Sequence, residues 1–222
     1  VVGELPQRKQ TAEVRWFFAE PPFDRTILFP EAPTGHERID WYAAVSDLGC
    51  GIKWREGRLE TKLRLRQYAR SEPLSMQAGD KPPIEGALES WTKWSVALEQ
   101  GVEPPPADLL ASTGWIEVRK TRYLRTFAIA SGEVTEVAER PASGCDLEWT
   151  DLVIADRPWC TIGLESFGDA EWLTSLVATV IDHVLLPTLQ QTSATTWFRR
   201  DNSYGYPHWL AEQPWKNEVA EH

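Results

Sequence analysis

The sequence predicts an α+β protein dominated by antiparallel β-structure, a sheet or barrel with helices at its ends. Three observations predict it. Seven or eight segments alternate apolar and polar residues with the period of a strand. Most of them follow one another in hairpin order. One clear helical period lies near the end of the chain. With 222 residues, 42% of them hydrophobic, the chain is long enough for one large domain or two small ones. It is read as one domain over residues 1–222, with 190–222 a Trp-rich extension packed on it.

The elements follow in order. Residues 1–10 are polar and expected to fray. Residues 12–18, AEVRWFF, read as a strand with Glu13, Arg15 and Phe17 on one face and Val14, Trp16 and Phe18 on the other; Pro21-Pro22 ends it. Residues 24–37 read as a loop and 38–45, RIDWYAAV, as a strand.

Residues 51–66, GIKWREGRLETKLRLR, read as a β-hairpin. A type II′ turn at Gly57-Arg58 pairs Arg55 with Glu60 and Lys53 with Lys62. Lys53, Arg55, Glu60, Lys62, Arg64 and Arg66 then share one face, while Ile52, Trp54, Leu59, Thr61, Leu63 and Leu65 share the other. A solvated face usually interleaves charge signs. Periodicity alone favours a surface hairpin with its charged side in water; a cationic face in a chain of net charge −10 suggests a polyanion site.

Residues 68–81 read as irregular. Residues 84–98 are ambiguous: Trp91, Trp94, Ser95 and Leu98 have helical spacing, yet 91–96 suits a strand equally. Residues 101–107 contain three consecutive prolines and read as a connector, and 108–112 as a helical turn. Residues 115–129, WIEVRKTRYLRTFAI, form a second basic strand in which Val118, Lys120, Arg122 and Leu124 alternate with Arg119, Thr121, Tyr123 and Arg125. A short strand at 133–139 follows. The next strand, 145–153, places Asp146, Glu148 and Thr150 on one face. After a break at Pro158, the strand 159–167 places Thr161, Gly163, Glu165 and Phe167 on one face. Residues 169–185 are the clearest helix, with Asp169 as N-cap, an apolar stripe of Trp172, Leu173, Leu176, Val180, Ile181 and Val184, and Pro187 as its stop. Residues 202–210, NSYGYPHWL, are too aromatic for a plain tail and are expected to dock on the body.

The net charge of −10 argues against general nucleic-acid or membrane-surface binding. Cys50, Cys145 and Cys160 are an odd number without metal-ligand spacing, which suits a reducing compartment. Neither an 18-residue apolar run nor a signal-peptide pattern over 1–11 is visible, and a cytoplasmic location is expected. The four histidines have no metal spacing.

The order of these strands resembles the CYTH domain superfamily, the triphosphate tunnel metalloenzymes, from about residue 12 to 185. A Glu-bearing first strand is followed by a strand with Asp40-Trp41-Tyr42 and a hairpin with Lys-x-Arg on both arms. After a long connector come strands with Lys120-x-Arg122, Asp146-x-Glu148 and Gly163-Leu164-Glu165, and a helix. The resemblance implies a closed eight-stranded antiparallel β-barrel, a tunnel, with flanking helices including a C-terminal one. It implies that Arg15, Lys53, Arg55, Lys62, Arg64, Lys120, Arg122 and Arg125 grip a triphosphate or polyphosphate anion. It further implies that Glu13, Asp146, Glu148 and Glu165 hold Mg²⁺ or Mn²⁺, with Glu148 and Glu165 catalytic. Two carboxylates of the family pattern are replaced, by Thr11 and Gly163, and Arg15 stands where the family has Lys.

Such a site makes chemical sense. A triphosphate carries about four negative charges near neutral pH, and burying it requires fixed cations. Arg supplies a planar fork and Lys a mobile point charge. A divalent ion between carboxylates and phosphates would polarise phosphorus and help generate a nucleophilic water. Three functions follow as expectations. The first is a divergent phosphohydrolase acting on inorganic or organic triphosphate. The second is a non-catalytic barrel that binds a phosphorylated metabolite or other polyanion. The third is a scaffold whose Trp-rich tail and helix form a partner or homodimer surface.

Overall fold

The computed structural model describes residues 7–31, 34–65, 72–78, 81–97, 109, 112, 114–192 and 194–212. Arg66, the connector 101–107 and the tail beyond 212 lie outside the described residues, as does most of the expected turn at 108–112.

Among the described residues ten strands form: β1 (Gln7–Phe18), β2 (His36–Ala43), β3 (Cys50–Arg55), β4 (Arg58–Arg64), β5 (Glu72–Ala78), β6 (Lys81–Ala97), β7 (Trp115–Ala130), β8 (Glu133–Val137), β9 (Gly144–Ile154) and β10 (Arg157–Phe167). Eight of them close into an antiparallel barrel in the order β1-β10-β9-β7-β2-β3-β4-β6, and β6 returns to β1. Closure leaves no barrel edge to protect. The two remaining strands sit off the ring. β5 pairs with the first half of β6, and β8 with the second half of β7.

Several sequence expectations change. The ambiguous segment is one long strand, β6; its Glu89, Trp91, Lys93 and Ser95 follow the two-residue period of the neighbouring strands, with which it pairs on both sides. Residues 72–78, expected to be irregular, pair with it as β5. β1 begins at Gln7 rather than at residue 12, because Gln7–Gln10 pair with β6. The hairpin turn is Glu56-Gly57, both at positive φ (48° and 71°), so it is of the I′ rather than the II′ kind. Lys53 consequently faces Glu60 instead of Lys62. This register pairs Lys53 with Glu60 but sets Arg55 opposite Arg58, where the expected one paired Arg55 with Glu60 and opposed Lys53 and Lys62. The partner shifts by two residues, so every side chain keeps its expected face.

The long helix α1 spans Leu173–Gln190. It starts after Trp172, which lacks a side-chain cap, so Asp169 is not its N-cap. It also continues through Pro187. A π-helical stretch at Ile181–Leu185 widens the turn before the proline, which then sits in the first turn of the segment Leu186–Gln190, where its missing N–H is tolerated. In length and hydropathy, 1.3 over 18 residues, α1 resembles a membrane span. Its apolar side is spent on the core: Leu173, Leu176, Val177, Val180, Ile181 and Leu185 are buried against the outer faces of β1, β9 and β10, with Val14, Trp16, Ile162 and Leu164 beneath them. The Trp172 of the expected stripe is exposed.

A second apolar cluster lies inside the barrel. Phe17, Tyr42, Val118, Leu152 and Ile154 point inward at one end, and Trp209 and Leu210 of the short helix α2 (Tyr206–Glu212) join them. The aromatic tail docks as its composition suggested. The Trp209 ring stacks on Phe17 at 4.8 Å between centroids, and Ser203 bridges to Trp16. Gly51 makes room for this seat, since a Cβ there would stand 3.0 Å from Pro207 Cγ.

Candidate functional site

Past the apolar cluster, the interior is charged. A cavity of about 220 Å³ lies there, lined by nine cationic and five carboxylate side chains, an excess of four positive charges. The alternation that sends Val14 and Trp16 outward to α1 sends Glu13 and Arg15 inward. The same period turns Lys53 and Arg55 of β3, Lys62 of β4, and Lys120 and Arg122 of β7 toward the cavity. Asp146 and Glu148 of β9 and Glu165 of β10 meet them there.

Two of the expected anion ligands are elsewhere. Arg125 has the wrong parity on β7. It points outside the barrel, donates through Nη1 to Leu28 O at 2.6 Å, and forks onto Glu136 at 3.0 and 2.7 Å. Arg64 has the inward parity but is drawn onto buried Glu89 at 2.9 Å and does not line the cavity.

The charges are organised into two networks. Along β7, β2, β3, β4 and β6 they alternate. Lys120 Nζ lies 2.8 Å from Asp40 Oδ2, and Lys53 Nζ reaches Asp40 at 3.5 Å and Glu60 at 3.1 Å. Glu60 is also held by Arg55 at 2.7 Å and Lys93 at 2.9 Å. Lys120 donates to Tyr42 Oη at 2.7 Å, and Tyr42 in turn donates to Asp40 at 3.2 Å. On the opposite wall, Arg15 Nη1 donates to Glu148 Oε1 at 2.8 Å and to Thr161 Oγ1 at 2.9 Å. Arg122 takes the other oxygen of Glu148, and Lys62 takes Glu13.

Burial and partners tune these groups. Burial opposes ionisation of Glu60, yet Lys53, Lys93 and Arg55 bring its carboxyl down to about 2. Glu148, buried but beside Arg122 and Arg15, is held well below the ordinary carboxylate range. Asp40 is likewise lowered, burial being outweighed by Lys120, Lys53 and Arg38. Burial pushes the ammonium groups of Lys53, Lys93 and Lys120 down to about 8, against the pull of their carboxylates. Each of these lysines keeps a carboxylate partner, and it is the loss of water on burial that lowers it.

Three further cations and two tyrosines belong to the cavity and were not singled out by sequence: Arg38, Lys93, Arg140, Tyr42 and Tyr206. Arg38, Asp40 and Tyr42 alternate in RIDWY, so a face assignment for that strand would have found them. Lys93 was hidden by the helix–strand ambiguity. Arg140 lies on the loop after β8, where no period applies; it pairs with Asp146 at 3.0 Å and lies over the Phe167 ring at 3.8 Å.

The four expected metal ligands are close in register. Glu13 faces Glu165, and Glu165 faces Asp146. Their carboxylates nevertheless turn to different partners: Glu13 to Lys62, Glu148 to two arginines and Thr150, Asp146 to Arg140 and Thr126. Among the described residues, no three His, Cys, Asp or Glu side chains converge to hold an ion. A divalent cation would compete with lysine or arginine at Glu13 Oε2, at Asp146 Oδ2 and at both oxygens of Glu148, so this donor set does not fit a resident Mg²⁺ or Mn²⁺ as arranged. Glu165 differs. No side chain among the described residues hydrogen-bonds it, and it is kept below its ordinary range, against burial, by Lys62, Lys93 and Arg122.

No protein-family model matches this chain, and no curated protein is significantly similar to it.

Proposed function

We propose that the barrel binds a compact polyphosphate anion, with linear triphosphate or the triphosphate of a small organic ester as its ligand. The observation that carries this reading is a cavity of about 220 Å³ lined by nine cationic side chains against five carboxylates, with Asp40 a sixth, buried carboxylate behind Lys53 and Lys120. The remaining excess of positive charge suits an anion as highly charged as a triphosphate, which carries roughly four negative charges. The volume lies below the range of about 300–1,000 Å³ that encloses a drug-sized molecule, so an organic group on the phosphate would remain at the mouth. The resemblance to the CYTH superfamily points the same way. The carboxylates already spent on arginine and lysine favour binding without a resident metal. The free thiols of Cys50, Cys145 and Cys160 agree with a reducing, cytoplasmic setting.

A second reading, hydrolysis of the bound triphosphate, is favoured by Glu165. It faces the cavity as an ionised carboxylate with no hydrogen-bonding side chain among the described residues. Its oxygens are open to a water beside the bound phosphate, while the surrounding cations that lower its pKa weaken it as a base.

Thermal melting with tripolyphosphate, ATP and sulfate, each with EDTA or with Mg²⁺, tests the proposal. Tripolyphosphate at about a hundred times its Kd should stabilise the protein by about 2.7 kcal/mol in EDTA. No shift with any anion would overturn it. Orthophosphate release that needs Glu165 would establish the second reading over simple binding.

A further inference from the structure

Among the described residues, the barrel interior is sealed at one end and accessible at the other. The seal is made by the chain after α1. Ser203 Oγ accepts from Ala87 N at 2.8 Å, and Tyr204 N donates to Arg15 O at 3.1 Å. These bonds carry the segment into the barrel, where Trp209 is buried and Pro207 rests on Gly51. The innermost surface presented to the cavity is the Tyr206 ring. Lys120 Nζ lies 3.9 Å and Arg15 Cζ 5.1 Å from its centroid, and the Tyr42 ring is stacked beside it at 5.7 Å. At the opposite end stand the exposed Glu56 of the hairpin turn and Arg140, whose side chain is 51% exposed while it lines the cavity.

We infer that this cup takes its ligand end-on and selects anions with a free phosphate terminus, with Tyr206 as the floor against which that terminus rests. The inference rests on the anion-binding reading above. A terminal phosphate carries more charge than an internal one, and the deepest cations, Lys120 and Arg15, sit directly over the floor. A polyphosphate esterified at both ends would have to push a nucleoside through a cavity of about 220 Å³ whose far end is filled by Phe17, Val118, Ile154 and Trp209. An open tunnel would impose no such rule, because a chain could pass through with its capped ends outside.

Isothermal titration in EDTA with tripolyphosphate, ATP and diadenosine pentaphosphate tests this. The dinucleotide carries more phosphate charge than ATP, so charge alone would favour it. Tripolyphosphate and ATP should bind, and diadenosine pentaphosphate should bind at least about tenfold more weakly than ATP. Equal or tighter binding of the dinucleotide would overturn end-on selection while leaving anion binding intact. Failure of tripolyphosphate itself would overturn both. A Tyr206→Ala variant should improve binding of linear pentaphosphate relative to tripolyphosphate by about threefold or more. An unchanged ratio in the folded variant would overturn the role of Tyr206.

Discussion

Arg15 and Glu148 meet at 2.8 Å directly above Gly163, the residue that stands between them in the sheet. Arg15 pairs with Gly163 across one strand boundary and Gly163 with Glu148 across the next. A Cβ at Gly163 would stand 2.9 Å from Arg15 Cζ. The missing side chain at Gly163 is therefore the space in which a guanidinium lies. Burial of Arg15 works against its charge, but Glu148, Tyr206 and Glu13 raise its pKa above the ordinary value.

Removing one partner of this buried pair should be costly. Arg15→Met is expected to destabilise the fold by about 3 kcal/mol, because Glu148 loses half of its compensation. Arg15→Met combined with Glu148→Gln should recover part of that loss. Urea unfolding of the two singles and the double gives the coupling; additive losses would contradict it.

Gly163→Ala should cost about 1–2 kcal/mol through the Arg15 contact, although the site is in a strand, where alanine would otherwise be favoured over glycine. An unfolding midpoint at or above that of the parent would refute the close approach.

Lys53→Met should behave oppositely. Lys53 is held down to about 8 by burial, and its carboxylates keep other cations: Asp40 keeps Lys120, and Glu60 keeps Arg55 and Lys93. The variant is expected to match or exceed the parent in stability without ligand, by up to about 1 kcal/mol, while losing at least about tenfold in tripolyphosphate affinity. Arg125→Ala provides the contrast. It should leave affinity unchanged and cost about 1 kcal/mol or less, since it acts outside the barrel.

Two pH dependences follow. The carboxyl of Glu60 falls from 4.5 to about 2 on folding. Its contribution is fully present above the unfolded value and lost as pH falls through about 2. The stability gap between the parent and Glu60→Gln should therefore shrink from pH 5 downward toward about pH 2; a constant gap would contradict the ion pairing. On the anion-binding proposal Lys53, Lys93 and Lys120 act as ammonium groups, and burial brings each down to about 8. Affinity for tripolyphosphate should accordingly fall as pH rises through about 8, as measured by titration between pH 7 and 9.

The barrel was legible because its strands are two-faced. One face meets α1 and is apolar, as in Val14, Trp16 and Phe18, while the other meets the cavity and is charged, as in Glu13 and Arg15. Such alternation reveals faces without revealing partners. Lys53, Arg55, Lys62, Lys120 and Arg122 were therefore found, but Arg64 could not be told from a cavity ligand until Glu89 was placed beside it. Arg125 was expected among the anion ligands although its parity sets it on the face opposite Lys120 and Arg122. The hairpin's faces survived an error of register because the partner moved by two residues. The sealed end could not be read, since it depends on where residues 203–212 return in space. The continuation of α1 through Pro187 depends likewise on a local π-helical adjustment that no residue pattern announces.

The central claim is that the cavity binds triphosphate through its own cations. The most direct test is the phosphorus NMR spectrum of tripolyphosphate titrated with the protein in EDTA. Resonances that shift or broaden, saturate at one ligand per chain, and return to their free positions with Lys53→Met are the predicted result. Sharp, unshifted resonances at excess protein would contradict it.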